Sequence, residues 1–234
     1  MSPRPRPRTA VRRSPWRAWP GSAAWIARLR GRAAVLVAVL VALAFMLGAC
    51  SARFDPAGPC TSDGSAPGAY PDLEAQVPRA FRGTPPGQVD SGRACSADGL
   101  GTLQAHGITE LRFAGSTWTI ATDSGLSLAM FRSEGSTPLT RDWLVEFYET
   151  GAKAGKNVQS VDTTDYPVSA GVAGRRLDVL NGESFQSVVV WERGGRIETA
   201  IVANFIREIQ TRDAHDRVVR DAVDAWNKAD AVGK

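Results

Sequence analysis

Residues 174–203, GRRLDVLNGESFQSVVVWERGGRIETAIVA, decide the fold. Gly174–Leu180 and Ser184–Glu192 alternate apolar and polar residues on either side of Asn181-Gly182, the pair that a two-residue type I′ turn demands. Arg193-Gly194-Gly195-Arg196 supplies a second turn into Ile197–Ala203. Three antiparallel strands in series are predicted, with Phe185, Val189 and Trp191 on one face.

Upstream, Asn157–Val168 reads as another strand, stopped by Pro167. Thr140–Ala154 changes period: Trp143, Leu144, Phe147 and Tyr148 recur at helical spacing, with Arg141, Asp142, Glu146 and Glu149 outside. Leu111 and Phe113, then Trp118 and Ile120 across a turn at Gly115-Ser116, then Leu126, Leu128 and Met130, make a meander of short strands. Ser96–His106 is a weak helix with Leu100 and Leu103 inward. Tyr70–Phe81 carries the stripe Leu73, Val77, Phe81, and Arg82–Arg93 is turn-rich. Downstream, Asp213–Ala229 closes the chain as a helix, with Ala214, Val218, Ala222 and Trp226 stepping by four. The expected fold is α+β. An antiparallel sheet of about six strands carries the amphipathic helix and the C-terminal helix on one face, in a single domain over residues 72–234.

The other end of the chain is of a different kind. Ala33–Leu47, AAVLVAVLVALAFML, is 15 uncharged residues preceded by Arg28, Arg30 and Arg32. It is shorter than the roughly 20 residues a spanning helix wants and suits the apolar middle of a secretory signal. Before it, Pro3, Pro5, Pro7 and Pro15 interleave with arginine in an extended, disordered start. That start is long for a signal, so translation from Val11 is an alternative. Arg12-Arg13 lacks the continuation of a twin-arginine signal. Leu47-Gly48-Ala49-Cys50 resembles the lipobox of bacterial lipoproteins. The resemblance implies diacylglycerol on the Cys50 thiol, cleavage after Ala49, residues 1–49 as signal peptide, and an extracytoplasmic protein held at the membrane. An uncleaved anchor is the competing reading. The Leu73…Pro78 opening followed by a late meander is similar to bacterial envelope lipoproteins without an assigned activity. Ser51–Pro71, rich in Gly, Ser, Pro and Ala, is expected to be a flexible tether, within 50–71.

Charge follows the same division. The whole chain is +4, but nine of its 28 basic residues and none of its 24 acids lie in residues 1–49. Residues 50–234 therefore hold 19 basic and 24 acidic residues, a net −5. Such a domain does not attract phosphate backbones, and nucleic acid is rejected as a partner. With Cys50 assigned to lipid, Cys60 and Cys95 remain as an even pair in an oxidising compartment, and a disulfide between them is expected.

Signs of chemistry are sparse. His106 and His215 are the only histidines, with no HExxH, no GxSxG and no phosphate-binding glycine loop, so no catalytic residue, metal ligand or cofactor site is assigned. His106 sits at a helix end, and His215 among Asp213, Asp216 and Arg217 reads as part of a solvated face. Trp118, Trp143, Trp191 and Trp226 fit core positions better than a ligand wall. Arg175-Arg176 could meet an anion, but one of the two must point outward on any strand. Glu183 and Glu192 are expected in solvent. A binding module facing an envelope protein, a wall polymer or a small solute is the expected function. A hydrolase with paired acids is the alternative.

Overall fold

A computed structural model describes residues 54–232. The apolar run Ala33–Leu47, the signal over 1–49 and Cys50 lie outside the described residues. The elements are β1 (Gly64–Ala66), α1 (Pro71–Glu74), β2 (Gln88–Ala94), α2 (Ala97–Leu100) running into a 3-10 turn (Gly101–His106), β3 (Leu111–Ala121), β4 (Ser124–Ser133), α3 (Arg141–Lys153), β5 (Val158–Ser169), β6 (Val172–Asn181), β7 (Ser184–Arg193), β8 (Arg196–Phe205) and α4 (Arg212–Val232). One antiparallel sheet has the order β1-β2-β3-β4-β8-β7-β6-β5. Two four-stranded meanders are thus joined where β4 pairs with β8.

The class is α+β with an antiparallel sheet, as expected, but the sheet has eight strands rather than about six. β1 and β2 account for the difference. Gln88–Ala94, QVDSGRA, lacks an apolar alternation and reads as turn, yet all but its first two residues are buried. Gly92 makes the pairing possible: a Cβ there would lie 2.3 Å from the carbonyl oxygen of Gly64 and 2.7 Å from the Phe113 ring. Gly115-Ser116 is not a turn. β3 runs straight through it, with Gly115 opposite Asp90 on one side and Ala129 on the other.

The helices do not share a face. Leu144, Val145 and Tyr148 of α3 pack with Leu100, Leu103, Phe113, Phe131, Val188 and Val190 in one core. Val218, Val219, Ala222 and Trp226 of α4 pack with Leu128, Met130, Val189, Trp191 and Val202 in a second. Neighbouring residues of a strand point to opposite faces, so Val188-Val189-Val190-Trp191 and Ala200-Ile201-Val202-Ala203 feed both cores. Such unbroken apolar runs mark strands covered on both sides. The one-face expectation is corrected by that physical reason.

Local chemistry sets the ends of the elements. Thr140 caps α3, its Oγ1 accepting from the Trp143 N–H at 3.3 Å. Gly194 and Gly195 both take positive φ (59° and 76°), as a type I′ turn between β7 and β8 requires. Between β6 and β7 the turn falls one residue later than expected. Asn181 pairs with Ser184, leaving Gly182 and Glu183 at the tip, and the Asn181 Oδ1 accepts from the N–H of Glu183 (3.1 Å) and of Ser184 (2.9 Å). Asn181 therefore works through its side chain, as an Asx turn.

Residues 54–71, within the expected tether, make ordered contacts. Cys60 and Cys95 form a disulfide with their Cα atoms 5.7 Å apart. Arg93 donates to the carbonyls of Gly58 and Pro59, both at 2.8 Å. Asp63 Oδ1 accepts from the N–H of Cys95 (2.6 Å) and Ser96 (2.7 Å). These contacts make the segment part of the fold. No described helix is long and apolar enough to cross a membrane.

The close approach at Gly92 gives a first test. Gly92→Ala drives a methyl into β1 backbone and is expected to destabilise by about 1–3 kcal/mol, read from urea denaturation. An unchanged midpoint would mean that β1 does not lie against β2.

Candidate functional site

α4 is held on its sheet by apolar contacts along its middle and by a polar cluster at each end. The amino-terminal cluster gathers Arg176 and Asp178 of β6, Ser187 of β7, Asn204 of β8, and Arg212, His215 and Asp216 of α4. Ser187 and His215 are fully buried. His215 was expected in solvent, and its place is the reverse of that expectation. The one signal available was the four-residue step of α4, on which His215 immediately precedes the buried Val218–Val219–Ala222 stripe by a single turn.

Within the cluster, the Asn204 Nδ2 donates to the carbonyls of Phe205 and Ile209, both at 3.3 Å, which aims its Oδ1 at His215 Nδ1. Neutral His215 then carries its proton on Nδ1 and turns the Nε2 lone pair to Ser187 Oγ at 2.7 Å. Ser187 Oγ accepts from Arg176 Nη2 at 3.1 Å, and its one proton has two alternative acceptors, His215 Nε2 and Asp178 Oδ1. Arg176 and Arg212 bridge Asp178 and Asp216. The order Ser–His–Asn is that of a nucleophile, its base and an orienting group. Here Ser187 lies mid-strand, sealed beneath α4 and flanked by Arg176 and Asp178, so a substrate has no path to its Oγ. The cluster works as a clamp.

At the other end of α4, the carboxylate of Glu198 is fully buried. It accepts from Trp191 Nε1 at 2.6 Å and from Arg196 Nε at 2.8 Å, with Arg193 Nη1 at 3.6 Å. Both arginines also reach Asp230, and Arg193 donates to Asn227 Oδ1 at 2.7 Å. Sequence reading missed Glu198. The signal was an acid within Ile197–Ala203, a run whose two faces are both covered.

A groove of about 1250 Å³ opens beside this second cluster. One wall is residues 75–83, following α1; the other is α4 from Asp221 to Asp230; the β7–β8 turn closes one end. Ala75, Pro78, Ala80, Ala225 and Ala229 are among its lining residues. Arg79, Arg82 and Lys228 stand exposed around it. Arg82 Nη2 spans the walls to Asp221 at 2.5 Å.

The residues singled out from sequence do not converge here. Trp118, Trp191 and Trp226 are buried core, and Trp143 is partly buried, stacked on His106 with ring centroids 4.5 Å apart. His106 Nε2 meets Glu146 Oε2 at 2.7 Å at the surface formed by the 3-10 turn and α3. Glu183 and Glu192 are exposed. Arg175 reaches outward to Asp165, while Arg176 turns inward. Among the described residues no group of three or more His, Cys, Asp or Glu could hold a metal ion.

No protein-family model matches the chain, and no curated protein matches its sequence.

Two buried groups shift in opposite directions. Burial, then the charges of Arg212 and Arg176, push His215 down to about 4. Burial, then the charge of Glu74, pushes Asp90 on β2 up to about 6, against a hydrogen bond from Gln88. Between pH 4 and 6.5 the unfolded chain binds more proton at His215 than the folded one, so stability rises with pH. At Asp90 the folded chain binds more, so stability falls as pH rises over nearly the same window. Each contribution is on the order of 3 kcal/mol, and they oppose. His215→Gln is expected to leave a protein that loses stability from pH 4 to 6, and Asp90→Asn one that gains it. Urea midpoints at several pH values check both, and parallel curves for the two variants would refute the assignment. Glu198→Gln is expected to cost roughly 3–5 kcal/mol, because two guanidiniums lose their buried counter-charge. A thermal melt within a degree or two of wild type would show that Glu198 is not bound in this way.

Proposed function

We propose that the chain is an exported lipoprotein, anchored through diacylglycerol on Cys50, whose domain acts as a binding module outside the cytoplasm. The single observation that carries the binding reading is the groove between residues 75–83 and α4, with small apolar residues inside and cations at its edge. Pockets of this kind recognise ligands by an apolar surface and a few placed polar groups.

The groove favours binding over hydrolysis by paired acids. Of its three carboxylates, Asp221 is engaged by Arg82, and Asp230 by Arg193 and Arg196. The two histidines lie elsewhere, His106 at the end of the 3-10 turn beside α3 and His215 under the start of α4. The arginines and apolar run ahead of Cys50 support export.

Mass spectrometry of protein purified from isolated envelopes is expected to find residues 50–234 with diacylglycerol on Cys50. Diacylglycerol still present on a Cys50→Ala chain would refute the anchor. Amide exchange at residues 75–83 and 221–230 is expected to be slower in envelopes than in purified protein. Equal exchange would rule the groove out as the contact surface.

A further inference from the structure

Resting on the reading of the groove as a binding surface, we infer that its occupant is an extended acidic peptide segment with alanine-sized apolar side chains. The charge distribution carries this. Over residues 54–232 there are 17 Lys and Arg against 24 Asp and Glu. The groove lining inverts that ratio, with Arg79, Arg82, Arg193, Arg196 and Lys228 against Asp221, Asp224 and Asp230. Counting Glu198 beneath it, the groove still holds five cations to four acids, while the rest of the described domain holds 12 to 20.

The cations differ in what already occupies them. Arg193 and Arg196 are satisfied by Glu198 and Asp230 and belong to the clamp. Arg79 donates to a backbone carbonyl, that of Glu74, at 2.7 Å, and Lys228 makes no ion pair among the described residues. Arg82 and Asp221 are each about half exposed, and a pair in that setting is worth about 0–1 kcal/mol, so an incoming carboxylate can replace Asp221. Two available cations therefore come from the wall at 75–83 and one from α4.

The inner surface sets the other half of the ligand. Ala75, Pro78 and Ala80 on one wall and Ala225 and Ala229 on the other are among its lining residues, which include no aromatic side chain. An extended chain alternates its side chains between two sides, so methyls can lie against this surface while carboxylates reach the rim. A phosphate polymer would use the rim alone, and where it overhung the groove it would meet the acid excess of the remaining domain. The arginine-rich residues 1–32 of this chain have the wrong charge.

The test uses the lipidated chain over residues 50–234, purified in detergent, with a fluorescein-labelled Ala-Glu repeat octapeptide, its Ala-Gln counterpart and inorganic polyphosphate as probes. The Ala-Glu peptide is expected to bind saturably, about tenfold or more tighter than Ala-Gln, and more weakly as salt is raised. Combined Arg79→Glu and Lys228→Glu, both at exposed positions, are expected to weaken it by roughly tenfold, and Ala229→Trp to block it. Equal binding of the two peptides, both blocked by Ala229→Trp, overturns the acidic assignment and leaves the groove reading standing. Polyphosphate binding that equals the peptide's and shares its dependence on Arg79 and Lys228 overturns the peptide as occupant. If no probe binds while residues 75–83 and 221–230 remain protected in envelopes, the peptide inference alone falls. If that protection is missing as well, both readings fall.

Discussion

The structure depends on the double coverage of its central strands. β4, β8 and β7 carry apolar side chains on both faces, so neither face can be left to water. A buried aliphatic or aromatic side chain contributes about 1.5–3 kcal/mol relative to exposure, and each face of these strands holds several. That demand places α3 on one side and α4 on the other. Trp191 and Trp226 meet edge to face at 6.1 Å, and Trp226 Nε1 donates to the Thr199 carbonyl at 2.9 Å, which sets the depth and rotation of α4. With α4 fixed in this way, one wall of the groove is fixed too.

Polar groups then choose the register of α4 along the sheet. An apolar stripe of alanines and valines tolerates sliding, because one turn of helix resembles the next. The clusters at the two ends do not. Arg176, Asp178 and Ser187 accept only the turn that carries Arg212, His215 and Asp216, and Arg193 and Arg196 accept only the turn that carries Asn227 and Asp230. A shift by one turn would take His215 from Ser187 and Asn204 in a dry interior and carry Asp230 away from Arg193 and Arg196, at a cost of several kcal/mol. Burying ions is weak evidence for stability, but here both clusters sit where two surfaces must align.

Much of this architecture was legible in the chain, and what was hidden has physical causes. The late meander, the α3 and α4 stripes, the inward Leu100 and Leu103 and the Cys60–Cys95 pair could be read because each depends on local periodicity or parity. β2 could not, since Asp90, Ser91, Gly92 and Arg93 are buried by β1 and α1, which touch it from distant positions. Gly182 was read as the second turn residue when it is the first, because the Asn181 amide can close a turn either through its backbone or through its side chain. The second helical face could have been read from Val188–Trp191 and Ala200–Ala203, whose lack of alternation is itself the signal. The groove had no such signature. Its walls lie about 140 residues apart in the sequence, and its charges are unremarkable until α1 and α4 bring them together.

The two walls are not equally anchored. α4 is packed along its length on the central strands. The opposing wall, residues 75–83, hangs from the short α1 and from Leu73, Val77 and Phe81, which enter the same core beneath α4. It lies inside the loop closed by Cys60 and Cys95, with Asp63 and Arg93 tying that loop to the edge of the sheet. Closing a loop of that length removes roughly 3–4 kcal/mol of chain freedom from the unfolded ensemble, and the effect falls on this part of the domain. The width of the groove therefore depends on a disulfide remote from its lining. The disulfide does more than join two sulfurs: it holds in place the wall that faces α4.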